Sequence, residues 1–312
     1  MHTAIPLTVL ATALACSLAT APAHARARVF VASYGTDSAT CGPFGSPCRN
    51  FQQAVNNVDP GGEVTAIDSA GFGPISINKA VSITSPNGVE AGIVSSAGGT
   101  AITINAPTDA AVSLQGLTID GTGGATTGIQ FLVGGSLTIR NSVIRNFSAD
   151  GVDLTPNVVS TIAISDTLVA NNGGHGIFLQ SLGNADGVFA VFNRVEAYNN
   201  AQSGIGVLGN MNNLQTSATA TNCVAAHNLI GYKATGSGPA GVTAFAITRS
   251  TAFNNSIGVF SENYARLIIS ENDLHGNAET PWNTSSGGLM YSYGDNLTEG
   301  GILPGISEVS KH

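Results

Sequence analysis

The stretch Ile162-Ala163-Ile164-Ser165-Asp166-Thr167-Leu168-Val169-Ala170-Asn171-Asn172-Gly173-Gly174-His175-Gly176-Ile177-Phe178-Leu179 decides the fold. It reads as an alternating strand, a polar corner, a second short apolar run, an asparagine, and a glycine that opens a new alternating strand. The same unit recurs, degenerately, from about Gly116 to Asn277. Aligning the units puts Asn141, Asp166, Asn193, Asn222, Arg249 and Glu271 at one position, with steps of 25, 27, 29, 27 and 22 residues. Six residues after each come Phe147, Asn172, Asn199, Asn228, Asn255 and Asn277, and then Gly151, Gly176, Gly204, Gly231 and Gly258. A unit of this length, with short strands and no helical segment, cannot bury its apolar face alone, and only stacked coils share one continuous core. The expectation is an all-β, parallel solenoid.

Within a coil, Leu137 and Ile139, Ile162 and Ile164, Ile177 and Leu179, and Ile205 and Val207 point one way, while Thr138 and Ser165 point the other. Coils of a parallel stack lie about 4.8 Å apart, so equivalent residues form ladders. An asparagine amide can donate to one neighbour and accept from the next, so Asn172, Asn199, Asn228, Asn255 and Asn277 read as a structural ladder. The repeated glycines read as turn residues with positive φ.

Composition agrees. Among 312 residues there are 39 Gly and only 11 Lys plus Arg, which suits short strands joined by tight corners. The formal net charge of -8 carries no electrostatic footprint for nucleic acid, and it disfavours acidic polymers such as pectate or alginate. A continuous repeat needs no domain boundary, so one domain is expected despite the length.

Four segments follow. Residues 1–25 read as a signal peptide, with an apolar run from Ile5 to Leu18 and a cleavage site at Ala23-His24-Ala25, implying a secreted or periplasmic protein. No later run approaches the 18 or so apolar residues of a membrane span. Residues 26–62 read as an N-terminal cap. In it Ser46 and Pro47 look like an N-cap and first turn, and Phe51, Ala54, Val55 and Val58 recur at helical spacing. Residues 63–277 are the coils, and 278–312 a C-terminal cap and tail, with Trp282 covering apolar surface. Cys41 and Cys48 flank a turn-rich loop and make a plausible disulfide of an oxidising compartment, whereas Cys223, inside a repeat, reads as a buried thiol.

Beyond the repeats, the stretches Val29-Phe30-Val31-Ala32-Ser33-Tyr34-Gly35-Thr36-Asp37, Pro47-Cys48-Arg49-Asn50-Phe51-Gln52-Gln53-Ala54-Val55, Ile77-Asn78-Lys79-Ala80-Val81-Ser82-Ile83 and Tyr293-Gly294-Asp295-Asn296 carry a resemblance. The chain resembles the right-handed parallel β-helix proteins of the pectin-lyase-like superfamily, in particular uncharacterised secreted bacterial members. The resemblance implies a right-handed, single-stranded parallel β-helix with a short N-terminal capping helix. It implies little about activity, since that superfamily spans lyases, hydrolases, esterases, epimerases, tailspikes and adhesins.

The family motifs are incomplete here. The catalytic Arg-x-Pro and dense carboxylate cluster of pectate lyases are missing, as is the Asp-Phe of pectin methylesterases. Ala149-Asp150-Gly151-Val152-Asp153 and Gly174-His175-Gly176 are similar to two polygalacturonase motifs, but the Asp-Asp and Arg-Ile-Lys motifs have no counterpart. Asp150 and His175 each precede an aligned glycine, so they should be rung neighbours, with the carboxylate orienting the imidazole and raising its pKa so that His175 can act as a general base. A binding row competes with this catalytic pair. With Val152, Ile177, Ile205 and Val259 inward, the outward row runs Gln130, Asp153, Phe178, Gly206, Lys233, Phe260, of which Asp153, Phe178, Lys233 and Phe260 could hold a sugar. The expected partner is a polysaccharide or cell-surface glycan, with no cofactor, metal site, nucleic acid or membrane span.

Overall fold

The computed structural model describes residues 26–183, 187–210, 214–299 and 306–308. The expected signal peptide and most of the C-terminal tail lie outside the described residues. Every strand pairing between coils is parallel. The strands form a right-handed β-solenoid with two faces. A nine-stranded sheet runs from Ile75–Ile77 through Thr100–Asn105, Thr127–Val133, Val152–Leu154, Ile177–Gln180, Ser203–Leu208, Ile230–Thr235 and Ile257–Glu262 to Thr280–Ser285. The remaining strands form a second, twenty-stranded sheet that bends at each coil, so that one coil contributes a long and a short segment to it.

Period-two alternation puts one apolar column from each face inside. Ile129, Val152, Ile177 and Ile205 are fully buried in register on the nine-stranded sheet, and Ile139, Ile164 and Phe192 oppose them. Tyr232 enters this column as a fully buried side chain, and its hydroxyl donates to the Thr251 carbonyl at 3.2 Å. Trp282 closes the column at the C-terminal end and is 7% exposed.

The corners differ from the sequence reading in two respects. At the bend of the larger sheet, the left-handed residues are Asn141, Asp166, Arg194, Asn222, Arg249 and Glu271, with φ between 47° and 56°. Arg194, not Asn193, holds that position, because the ladder pairs Ser165 with Asn193 and Thr167 with Val195. The register of the following corner shifts with it. The buried ladder is Asn172, Asn200, Asn228, Asn255 and Asn277; Asn172 Oδ1 accepts the backbone N–H of Phe147, and from Asn200 onward each Oδ1 accepts both the backbone N–H and the side-chain amide of the preceding asparagine. Asn199 instead sits at the exposed left-handed corner, at φ 52°, and donates to Asn171 at 2.8 Å. Two adjacent asparagines suit the two sites differently: one needs a side chain that tolerates positive φ, the other one that bonds both ways.

The second correction concerns the glycines. Gly151, Gly176, Gly204, Gly231 and Gly258 do not have positive φ. They are required by space: a Cβ on Gly176 would lie 2.6 Å from the Gly204 carbonyl and 2.8 Å from Asn200 Nδ2. The amide ladder packs onto the bare backbone of the next strand.

The N-terminal cap carries the helix Phe51–Asn57, later in the chain than Ser46 and Pro47 suggested. Cys48 is held extended by its bridge to Val31 and by the disulfide to Cys41, so the helix begins only after Asn50. Asp37 accepts the backbone N–H groups of Arg49 and Asn50. The helix buries Phe51, Ala54 and Val55 over the first coil. From it Gln52 reaches the edge strand, accepting the Ser76 N–H at 2.7 Å and donating to the Ser76 carbonyl at 3.3 Å. At the other end, Asn296 Oδ1 accepts the backbone and side-chain amides of Asn272, a short second ladder at the bend.

Candidate functional site on the outer face of the nine-stranded sheet

Each strand of this sheet starts just after a corner, and the residue before the aligned glycine lies at its entry. Asp150, His175 and Ser203 occupy that place in three successive coils. Asp150 Oδ1 accepts the His175 backbone N–H at 2.6 Å, and the His175 Nδ1 accepts the Ser203 backbone N–H at 3.2 Å. Asp150 therefore fixes the main chain of His175, not its ring. An Nδ1 that accepts carries no proton, so the neutral ring presents Nε2–H as a donor. The ring stacks on Phe178, with centroids 4.9 Å apart and planes 21° from parallel. It lies over Gly206, where a Cβ would come within 3.3 Å of Nδ1.

The expected rise in the His175 pKa is reversed. Burial, with the nearby Lys233 charge as the smaller cause, lowers it to about 4. A ring held neutral this firmly is a hydrogen-bond donor and stacking surface and a poor base at neutral pH. The perturbed acids are the carboxyls instead. Asp150 is pushed up by burial, against the His175 N–H bond that lowers it. Asp153 is pushed up first by burial, with the Asp150 charge adding to it and the Gln130 bond opposing. Gln130 Nε2 donates to Asp153 Oδ2 at 3.3 Å, while Asp153 Oδ1 is buried without a protein partner.

The strand register sets Gln130, Asp153, Phe178, Gly206, Lys233 and Phe260 side by side along the outer face. Phe178 and Phe260 are both half-buried and stand three rungs apart, about 14 Å, so they flank the groove and do not form one sandwich. Between them is a shallow, open depression of about 300 Å³ lined by His175, Phe178, Gln202, Gly206, Leu208, Lys233, Thr235 and Glu262. Lys233 Nζ lies 2.8 Å from Glu262 Oε1 and 5.6 Å from the Phe260 ring centre. The same carboxylate oxygen accepts the Thr235 hydroxyl at 3.0 Å. Glu262, Thr235 and Gln202 were missed in the sequence. Glu262 and Thr235 stand two residues beyond Phe260 and Lys233, so the same alternation places them on this face.

Other reactive groups lie elsewhere. Cys223 is buried and its thiol is pushed up by burial, with Sγ near the carbonyls of Phe192 and Thr221. His227 meets Asn254 at the exposed corner. Cys41 and Cys48 form the disulfide. Among the described residues, the group with metal-ligand spacing is Asp37 with these two cysteines, whose sulfurs are joined to each other. None of the described helices is long and apolar enough to cross a membrane.

A face of stacked parallel strands with an amide ladder behind it defines a β-helix, and residues 100–300 match the family model described as right handed beta helix region. The chain belongs to that family. It is similar in fold to the crystal structure of pectate lyase Pel9A, with a TM-score of 0.65 and 15% sequence identity over 89% of this chain and 78% of that one. Among curated proteins, none matches the chain.

Proposed function

We propose that the protein is an exported β-helix that presents the outer face of its nine-stranded sheet to a polysaccharide or cell-surface glycan. The observation that carries this reading is the depression over Gly206, walled by the stacked His175–Phe178 pair on one side and the Lys233–Glu262 pair on the other. A flat aromatic plane beside fixed donors and acceptors meets the two surfaces of a pyranose, its C–H face and its hydroxyl rim. The disulfide supports an oxidising compartment, and the similarity to a pectate lyase supports a polysaccharide-related role. The test is affinity electrophoresis and a glycan array with the mature protein and its Phe178→Ala variant. The expected result is retention by at least one glycan and roughly tenfold weaker binding in the variant, the equivalent of an aromatic contact near 1.4 kcal/mol. Equal retention of both proteins, with the variant folded, removes the groove from recognition.

A second reading, a polysaccharide-active hydrolase, lyase or epimerase, is favoured by one observation. Asp150 and Asp153 are half-buried, repel one another and are both raised, the environment that keeps one carboxyl protonated as an acid while its neighbour ionises. The His175 ring then serves to orient substrate and does not abstract a proton. Release of reducing ends or unsaturated product, abolished in Asp150→Asn or Asp153→Asn and only weakened in His175→Gln, is the outcome that establishes it. Absence of turnover across neutral and acidic polymers leaves recognition alone.

A further inference from the structure

Resting on the carbohydrate-binding reading, we infer that Glu262 makes the groove selective for uncharged glycans by occupying the one cation that lines it. Among the described residues that line the depression, Lys233 is the only Lys or Arg. Its ammonium sits against Glu262 Oε1 at 2.8 Å, both side chains are about three-quarters buried, and the Thr235 hydroxyl holds the same oxygen. Among the described residues, Asp150 and Asp153 line the neighbouring rungs, Glu279 stands exposed at the entry of the last strand and accepts the Ser256 hydroxyl, and the His175 ring is neutral when its Nδ1 accepts from Ser203.

A uronate or sulfated polymer brings a fixed negative charge on its repeating units. To meet it, Lys233 must either leave Glu262 as a largely buried carboxylate without its counter-ion or bridge two carboxylates side by side; both arrangements are penalised. Neutral sugars avoid this cost. An ammonium has three protons and gives one to Glu262, so it still donates to a hydroxyl, while Glu262 accepts from another. Their C–H faces cover the His175–Phe178 plane. The ion pair thus recognises hydroxyls and at the same time repels anionic chains, and selectivity comes from the repulsive element as much as the attractive one.

The experiment measures binding of wild type, Glu262→Gln, and the Glu262→Gln/Lys233→Gln double variant. The probes are hydroxyethylcellulose and galactomannan as neutral polymers, and polygalacturonate and alginate as anionic ones, each with EDTA and with calcium. Wild type is expected to bind a neutral polymer and neither anionic one. Glu262→Gln keeps an amide oxygen for Thr235 but frees the ammonium, so it should gain at least tenfold in polyuronate affinity. The gain should vanish at high salt and in the double variant. Wild-type binding to a polyuronate, directly or through calcium, overturns the inference and leaves the carbohydrate reading standing. No change on Glu262→Gln overturns it as well. Failure of every polymer to bind overturns the carbohydrate reading itself and the inference with it.

Discussion

The two neighbouring asparagines at the Asn199-Asn200 corner give the sharpest test of the stacking register. In Asn200→Ala, the backbone N–H and side-chain amide of Asn172 lose their common acceptor, and the Val169 carbonyl loses a donor at 3.3 Å. Asn172 is 3% and Asn200 2% exposed, so water does not replace the missing oxygen without rearrangement. Two buried donors left unpaired, at about 1–3 kcal/mol each, predict a loss of roughly 4 kcal/mol. In Asn199→Gly, the exposed bond to Asn171 is lost while glycine keeps the left-handed φ, and the expected cost is below about 1 kcal/mol. Urea unfolding followed by far-ultraviolet circular dichroism measures both, with midpoints compared at equal slope. Equal losses, or a larger loss at Asn199, would falsify the register and the claim that the buried amide ladder holds the corner.

Further outcomes follow from the same structure. Gly176→Ala drives a methyl into the Gly204 carbonyl and Asn200 amide and should cost about 1–3 kcal/mol, whereas Gly45→Ala, with nothing within 4 Å of its Cβ and no positive φ, should be neutral in the same melts. The His175 pKa is depressed from 6.5 to about 4, so the unfolded chain binds the proton first; its contribution to stability is complete above pH 6.5 and falls as pH drops toward 4. Imidazole titration by NMR should therefore show no protonation of His175 near pH 6, and His175→Gln should flatten stability between pH 6.5 and 4 relative to wild type. Reducing the Cys41–Cys48 disulfide opens a loop with a sequence separation of seven and should cost roughly 2 to 3 kcal/mol in the cap. A thiol reagent should leave Cys223 unmodified until the chain unfolds.

The fold was legible because its signal is repeated. Alternation in strands such as Leu137–Ile139 and Ile177–Leu179 states which face is buried, and the outward row from Gln130 to Phe260 follows from it. What failed was local. Asn193 resembles a corner residue by composition, yet Arg194 occupies the corner, and this one-residue slip exchanged Asn199 for Asn200. The role of Gly176 was misread because sequence distinguishes poorly between a glycine needed for φ and one needed for space. At the candidate site, adjacency of Asp150 and His175 was readable, but not that the bond goes to the backbone N–H. That detail reverses the electrostatics of the ring, as burial and Lys233 then act on it without a carboxylate at its nitrogens. Glu262 was overlooked for a simpler reason: an acid at the end of a strand has no motif, and its meaning comes only from Lys233 one coil below.

The Gln52 side chain, poised on Ser76, has a consequence for how copies of this protein coexist. A parallel sheet is a template, and its bare edge invites another strand wherever one is available. Gln52 offers that edge a single amide in place of a peptide group, so the first rung finds its partner within its own chain. At Ser76 this end of the nine-stranded sheet is therefore closed by a side chain of the same protein, and an incoming strand would have to displace Gln52 to pair there.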